Sequence, residues 1–368
     1  MSHPTAYKLR GFRRPMDPVA VVYHEGIANY DMGWGSPFRG DRFPKFIKLI
    51  EGLGLLSDPR VNLVEPGPAD DGTLGLIHPE EYIKEVERRE AMSIPLSGDT
   101  PLRPGIVDAA RLIAGTSVMA GELVADGSVR GAEGVGGGLH HAGREYGGGF
   151  CVFNDVAVCA QNLLENHGLD RVMILDSDVH PGNGTMDVFY GEPRVLFVSV
   201  HQDPRTIYPG TGFIDQVGEG DGEGYTVNVP LPPGAGDRCM GLFLDDVFKP
   251  LAREFEPQII IRNGGTDPHF LDGLGSLNLT FEGLRAIGKS VAEAAAFSKC
   301  GVVDLCCSGY NPSTVAEGWF SLLSGVIGFG EKLEETTTPP RPSETALAQT
   351  REVIEAVKET LGEYWDMN

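Results

Sequence analysis

Asp176, Asp178 and His180 stand at alternate positions of the stretch RVMILDSDVHPGNGT, residues 171–185. In an extended chain, side chains at i, i+2 and i+4 point to one face. Two carboxylates and an imidazole on one face can hold a divalent metal ion. Catalytic zinc takes three protein ligands and keeps a position open for water. Asp267, at the end of the Asn263-Gly264-Gly265-Thr266-Asp267 run, can complete such a set with Asp178 and His180. The pair His140-His141 lies in GVGGGLHHAGREYGGG, residues 134–149, where eight glycines allow close backbone approach to a ligand. Imidazoles beside a metal can take a proton from water and return it to a leaving group, with neighbouring carboxylates or carboxamides setting their tautomers. Tyr310, in a Gly-Tyr loop, can donate to an oxyanion opposite the metal. The chemistry expected of these residues is hydrolysis by metal-activated water.

The elements that must place them alternate between strand and helix. Apolar or β-branched runs at residues 19–23, 61–64, 172–175, 195–200, 225–229, 258–262 and 302–306 predict strands. Helical patterns cover residues 42–56, 79–89, 105–125, 154–167, 237–255, 280–297 and 315–329. Asn154 is the expected N-cap of its helix and Gly168 its stop. A Thr/Pro-rich link at 336–342 leads to a closing helix at 343–364. Strands alternating with helices predict an α/β fold with a mostly parallel sheet and helices on both faces. No repeat or composition break divides the chain, so one domain is expected over residues 1–368, with a core at about 19–330. The candidate residues follow strands, at the edge where open α/β sheets bind ligands.

Composition narrows the partners. The 368 residues are 41% hydrophobic, and the net charge is −22. Such a surface repels phosphate backbones, so no direct nucleic-acid binding is expected. It suits cationic ligands such as lysine-rich peptides or polyamines, and equally plain solubility. Cys151, Cys159, Cys239, Cys300, Cys306 and Cys307 form no CxxC pair and no disulfide framework, which points to a reducing cytoplasm. The first 15 residues, MSHPTAYKLRGFRRP, carry charge and no apolar core, so no signal peptide is expected. No membrane span is expected, and a homo-oligomer is left open.

Seven motifs occur in order: GGGLHHA, GGGFCVFND, LDSDVHPGNGT, VSVH, YPGTG, the Asp267 loop with DGLGSLNLT, and SGYNP. Together, over about residues 23–328, they resemble the zinc-dependent histone deacetylases and their bacterial and archaeal relatives. The resemblance implies the arginase/deacetylase fold, with a parallel sheet of about eight strands. It implies one catalytic zinc per chain (iron being the alternative metal) on Asp178, His180 and Asp267. His140 and His141 match the tandem catalytic histidines, with His141 as base and acid and Asp176 as the buried partner of His140. Tyr310 matches the catalytic tyrosine. Gly149, Phe150 and Tyr208 match the walls of an acyl-lysine channel, and Asp99 the rim acid that holds substrate backbone. Leu274 falls where acetylpolyamine enzymes carry a glutamate, and Gly309 beside Tyr310 is counted with the substrate contacts. Arg42 matches a basic residue at the channel foot, where acetate leaves. Backbone around Asp176, Asp178, His180, Ser199 and Val200 resembles a structural potassium site, with Phe189, Val195 and Tyr225 near a second.

Three departures stand out. Asn183 replaces the Asp that many members place against His141. Pro181 replaces a frequent second His, and Cys306-Cys307-Ser308 replaces glycines before Gly309. The implied reaction is hydrolysis of an N-acetyl or short N-acyl amide, most simply acyl-lysine. The alternatives are an acetylpolyamine or other small-amide deacetylase, an arginase-like dimanganese ureohydrolase, and a non-enzymatic binding module. The ureohydrolase needs further ligands for a second metal. The binding module should have lost Tyr310 or a ligand, and neither is lost.

Overall fold

The computed structural model describes residues 18–367. The N-terminal stretch in which no signal peptide was expected lies outside the described residues. Eight strands form one sheet, all parallel, in the order β2-β1-β3-β8-β7-β4-β5-β6. They are β1 (Val19–Val22), β2 (Val61–Val64), β3 (Gly131–Val135), β4 (Val172–Asp176), β5 (Val195–Gln202), β6 (Thr226–Leu231), β7 (Ile259–Gly264) and β8 (Gly301–Cys306). The central strands are covered on both faces, which is why β4 and β7 read as unbroken apolar runs. Helices Ile106–Ala125 and Asp155–Glu165 pack together, as do Phe281–Ser298 and Val315–Ile327, and both pairs flank the sheet. The helix Glu344–Leu361 closes the described chain against β6.

One strand has no sequence signal. β3 reads GAEGV, with two glycines and a glutamate, yet it is fully buried between β1 and β8. Its ladder bonds on both sides override its low strand propensity. The register sets Glu133 opposite Asp304, and Asp304 opposite Arg262 of β7. Arg262 donates to Asp304 and, at 3.0 Å, to the Cys306 sulfur. Burial and the Asp304 charge raise the Glu133 carboxyl well above its usual range, so it stays protonated beside one ion pair.

The pattern at 237–255, expected as one helix, is two helices, Asp237–Phe243 and Lys249–Phe255, joined by a wider turn at Leu244–Phe248. Pro250 has no N–H for the carbonyl four residues back, and the wider turn before it accommodates its ring. The Pro181-Gly182-Asn183-Gly184 turn runs straight into a helix, Asn183–Phe189.

Candidate active site

Four neighbouring strands, β3, β8, β7 and β4, deliver the candidate residues from their carboxyl ends. β4 ends at Asp176 and leads into Asp178 and His180. His180 Nδ1 lies 3.0 Å from Asp178 Oδ1 and 3.2 Å from Asp267 Oδ2. The potential ligand atoms of these three buried residues all lie within 4.8 Å of one another. Burial and the Asp178 charge push Asp267 well above the usual carboxylate range. Burial also opposes charge on His180, but its hydrogen bonds to both carboxylates outweigh it and lift the imidazole to about 10. Two buried carboxylates this close, one driven towards protonation by the other's charge and both drawing a proton onto the imidazole, fit a cation; a divalent ion relieves the same repulsion. Ser308 donates to Asp267 Oδ1 at 2.9 Å and so orients that carboxylate.

The histidine pair is held by the helix that follows it. Asp155 accepts the Gly138 and Leu139 amides at 2.9 and 2.7 Å. Asn154 caps the helix through Ala157 N and donates to Ala142 O at 2.8 Å. His140 Nδ1 meets Asp176 Oδ2 at 2.7 Å, and His141 Nδ1 meets Asn183 Oδ1 at 2.7 Å. The two Nε2 atoms are 3.2 Å apart. Burial disfavours charge on His140, but Asp176 and Asp178 outweigh it and hold the imidazole at about 9. His141 is pushed well below the usual range by burial, then by His140 and His180. At neutral pH the pair therefore divides into a cation and a neutral base, an arrangement suited to acid–base work. Tyr310 is raised well above an ordinary phenol by burial, Asp267 and Asp178, so it keeps its proton for donation.

A cavity of about 330 Å³ opens over this floor, lined by Asp99, His141, Gly149, Phe150, His180, Thr206, Ile207, Tyr208, Leu274 and Tyr310. Gly149 and Phe150 both take left-handed backbone, with φ of 56° and 68°. A Cβ on Gly149 would come within 2.4 Å of the His141 ring, so only glycine fits. Asp99 Oδ1 accepts the Gly149 amide at 3.1 Å, and Thr100 Oγ1 accepts the Phe150 amide at 3.0 Å. Asp99 therefore holds the Gly149 backbone in place as well as lining the cavity. Gly309 does not line this cavity. It lies behind Tyr310 on a void of about 20 Å³ shared with Arg42. Arg42, fully buried, donates to the carbonyls of Pro37, Arg39, Cys307 and Gly309.

Sequence reasoning missed several residues that support this floor. Asn263 Nδ2 donates to Asp176 Oδ2 at 3.1 Å, and Asp272 Oδ2 accepts the Tyr310 amide at 2.6 Å. Thr206 and Ile207, just before the YPGTG motif, complete the cavity wall. Asn263 was visible only as the start of a strand-end run. Its partner Asp176 is 87 residues away in sequence and adjacent only through the β4–β7 register.

Residues 36–326 match the family model described as the histone deacetylase domain. The chain belongs to the histone deacetylase family. Like its relatives, this histone deacetylase-family protein is a deacetylase, a hydrolase acting on amide bonds. It is 33% identical over 359 residues to a probable deacetylase of Archaeoglobus fulgidus, covering 94% of this chain and 98% of the relative. It is 32% identical over 295 residues to the acetoin utilization protein AcuC of Bacillus subtilis, covering 78% and 75%. The crystal structure of the HDA15 HD domain superposes with a TM-score of 0.84 at 27% identity, covering 95% of each chain. The deacetylase fold expected from the motifs is the fold observed, with a sheet that is wholly rather than mostly parallel.

Proposed function

We propose that the protein hydrolyses N-acetyl or short N-acyl groups from lysine side chains, using one zinc ion per chain. The reading is carried by one observation: the Asp178–His180–Asp267 set, the His140–Asp176 and His141–Asn183 pairs and Tyr310 converge beneath a single cavity. Phe150, Ile207, Tyr208 and Leu274 give that cavity a largely apolar wall suited to a lysine stem, and Asp99 is the one acid at its rim. A wall with Leu274 in place of an acid favours acyl-lysine over acetylpolyamines.

Asp178, His180 and Asp267 would hold the zinc ion, which when bound would supply Lewis-acid polarisation of the carbonyl and a more acidic water. His141 Nε2 takes the proton of the attacking water, and its Nδ1–H stays on Asn183. His140, cationic beside Asp176, adds positive charge next to the developing oxyanion. Tyr310 donates its phenolic hydrogen to that oxyanion. His141 then returns its proton to the amine nitrogen as the C–N bond breaks, releasing a carboxylate and a free lysine. Gly309 and Arg42 back Tyr310 on the side where the small carboxylate would leave. A structural potassium ion on carbonyls near Asp176 and Ser199, which pair across β4 and β5, belongs to the same proposal.

We also assign the chain to one catalytic unit in a reducing cytoplasm. Six buried free thiols support that compartment, and no described helix is long and apolar enough to cross a membrane. The test is a panel of acetyl-lysine peptides, longer acyl-lysine peptides and acetylpolyamines, assayed with metal analysis before and after chelation. One zinc per chain, loss on chelation, recovery with zinc and preference for acyl-lysine are expected. Undiminished turnover by metal-free protein, or turnover of acetylpolyamines alone, refutes the reading.

A further inference from the structure

Beyond Asn183, a hydrogen-bonded chain leads from His141 to the surface. The Gly143 amide donates to Tyr146 O at 3.0 Å and closes a tight turn. The Tyr146 ring lies across Gly143, where a Cβ would come within 2.1 Å of it. This turn holds the half-exposed phenol over the start of the helix Asn183–Phe189. Tyr146 Oη donates to Asp187 Oδ2 at 2.7 Å and lies 3.2 Å from Asn183 Nδ2. Asp187 is one helical turn beyond Asn183 and exposed.

Donors and acceptors leave one assignment. A carboxylate only accepts, so the single phenolic hydrogen goes to Asp187. The Tyr146 oxygen can then only accept from Asn183, which must present its NH2 group outward. The Asn183 carbonyl therefore faces His141 Nδ1, and a carbonyl also only accepts. The His141 proton sits on Nδ1, and Nε2 keeps its lone pair, 3.2 Å from Nε2 of His140. A flipped Asn183 amide would aim NH2 at Nδ1, move the proton to Nε2 and leave no base there.

We propose that Tyr146 and Asp187 are positioning residues that set the tautomer of His141 through the amide of Asn183. Neither lines the cavity, so they act on the base and not on substrate affinity. The proposal rests on the reading of His141 as general base, and its test includes a measurement that needs no substrate.

That measurement is the 15N spectrum of histidine-labelled, zinc-loaded protein, with the His141 signals assigned by their loss in His141→Gln. The unsubstituted protein should show the Nδ1–H form. Tyr146→Phe removes the acceptor for the Asn183 NH2 group. Asp187→Asn can donate to Tyr146, freeing the phenol to donate to Asn183 and invert it. Both variants should show part of His141 as Nε2–H. Both should lower kcat about 5-fold, the usual consequence of losing one such hydrogen bond, with KM unchanged. In an Asn183→Asp background, which has no amide to flip, Tyr146→Phe should cost less than about 2-fold further, since two equivalent oxygens face His141. An Nε2–H form in the unsubstituted protein, an unchanged spectrum in Tyr146→Phe, or an equal loss in both backgrounds would overturn the proposal. If the tautomer shifts as expected but no acylated amine is turned over, the positioning role stands and the proposed function falls.

Discussion

Replacing Asn183 by Asp puts a full negative charge where His141 now meets an amide. The contact is short, 2.7 Å from Asn183 Oδ1 to His141 Nδ1. At an effective dielectric near 20, unit charges about 4 Å apart attract by about 4 kcal/mol, or roughly 3 pH units. Asn183 is only partly buried, so solvent screens some of that, and Asp187 two hydrogen bonds away opposes the new carboxylate. A net rise of about 1–2 pH units in the His141 pKa is the expected result. His141 in the unsubstituted protein lies well below the usual histidine range, through burial and the charges of His140 and His180. As the general base we propose, it must be neutral, so kcat/KM is lost as pH falls through its pKa. Raising that pKa moves the acidic limb upward. The assay is kcat/KM against pH for both proteins, with zinc content and thermal unfolding measured in parallel. An acidic limb that stays in place, with zinc and folding unchanged, means that Asn183 shapes its turn without setting the protonation of His141.

Three further outcomes are expected. Tyr310→Phe should keep zinc and fold but lower kcat about 10²- to 10³-fold, the cost of one oxyanion donor, measured at saturating substrate. Leu274→Glu places an acid on the cavity wall and should raise the ratio of acetylpolyamine to acetyl-lysine-peptide kcat/KM, with competing substrates as the check. Arg262→Leu leaves the buried Asp304 charge without its cation beside protonated Glu133, so urea unfolding should show a loss of about 3–5 kcal/mol, and no loss would refute the ion pairing inferred there.

Local order in the sequence determined a great deal. The apolar run before Asp176 marks a buried strand and so locates the site at its end, but the strand stops at Asp176: Asp178 and His180 lie on the bend beyond it, and Asp176 turns to His140 instead of sharing their face. Asn154 as a cap, the parallel α/β class and the seven ordered motifs were likewise legible without any long-range contact. Tertiary structure decided what depends on strand order. β3 is a strand because its neighbours bond it on both sides, although GAEGV has low strand propensity. Asn263 reaches Asp176, and Ser308 reaches Asp267, across sheet registers that no local pattern encodes. The same holds for the opposed protonation of His140 and His141. Adjacent in sequence, they differ because one is paired with a carboxylate from β4 and the other with an amide on the helix beyond it. Sequence determined which chemical groups are present. Packing determined their charge, because desolvation and partner charge exist only once distant segments meet.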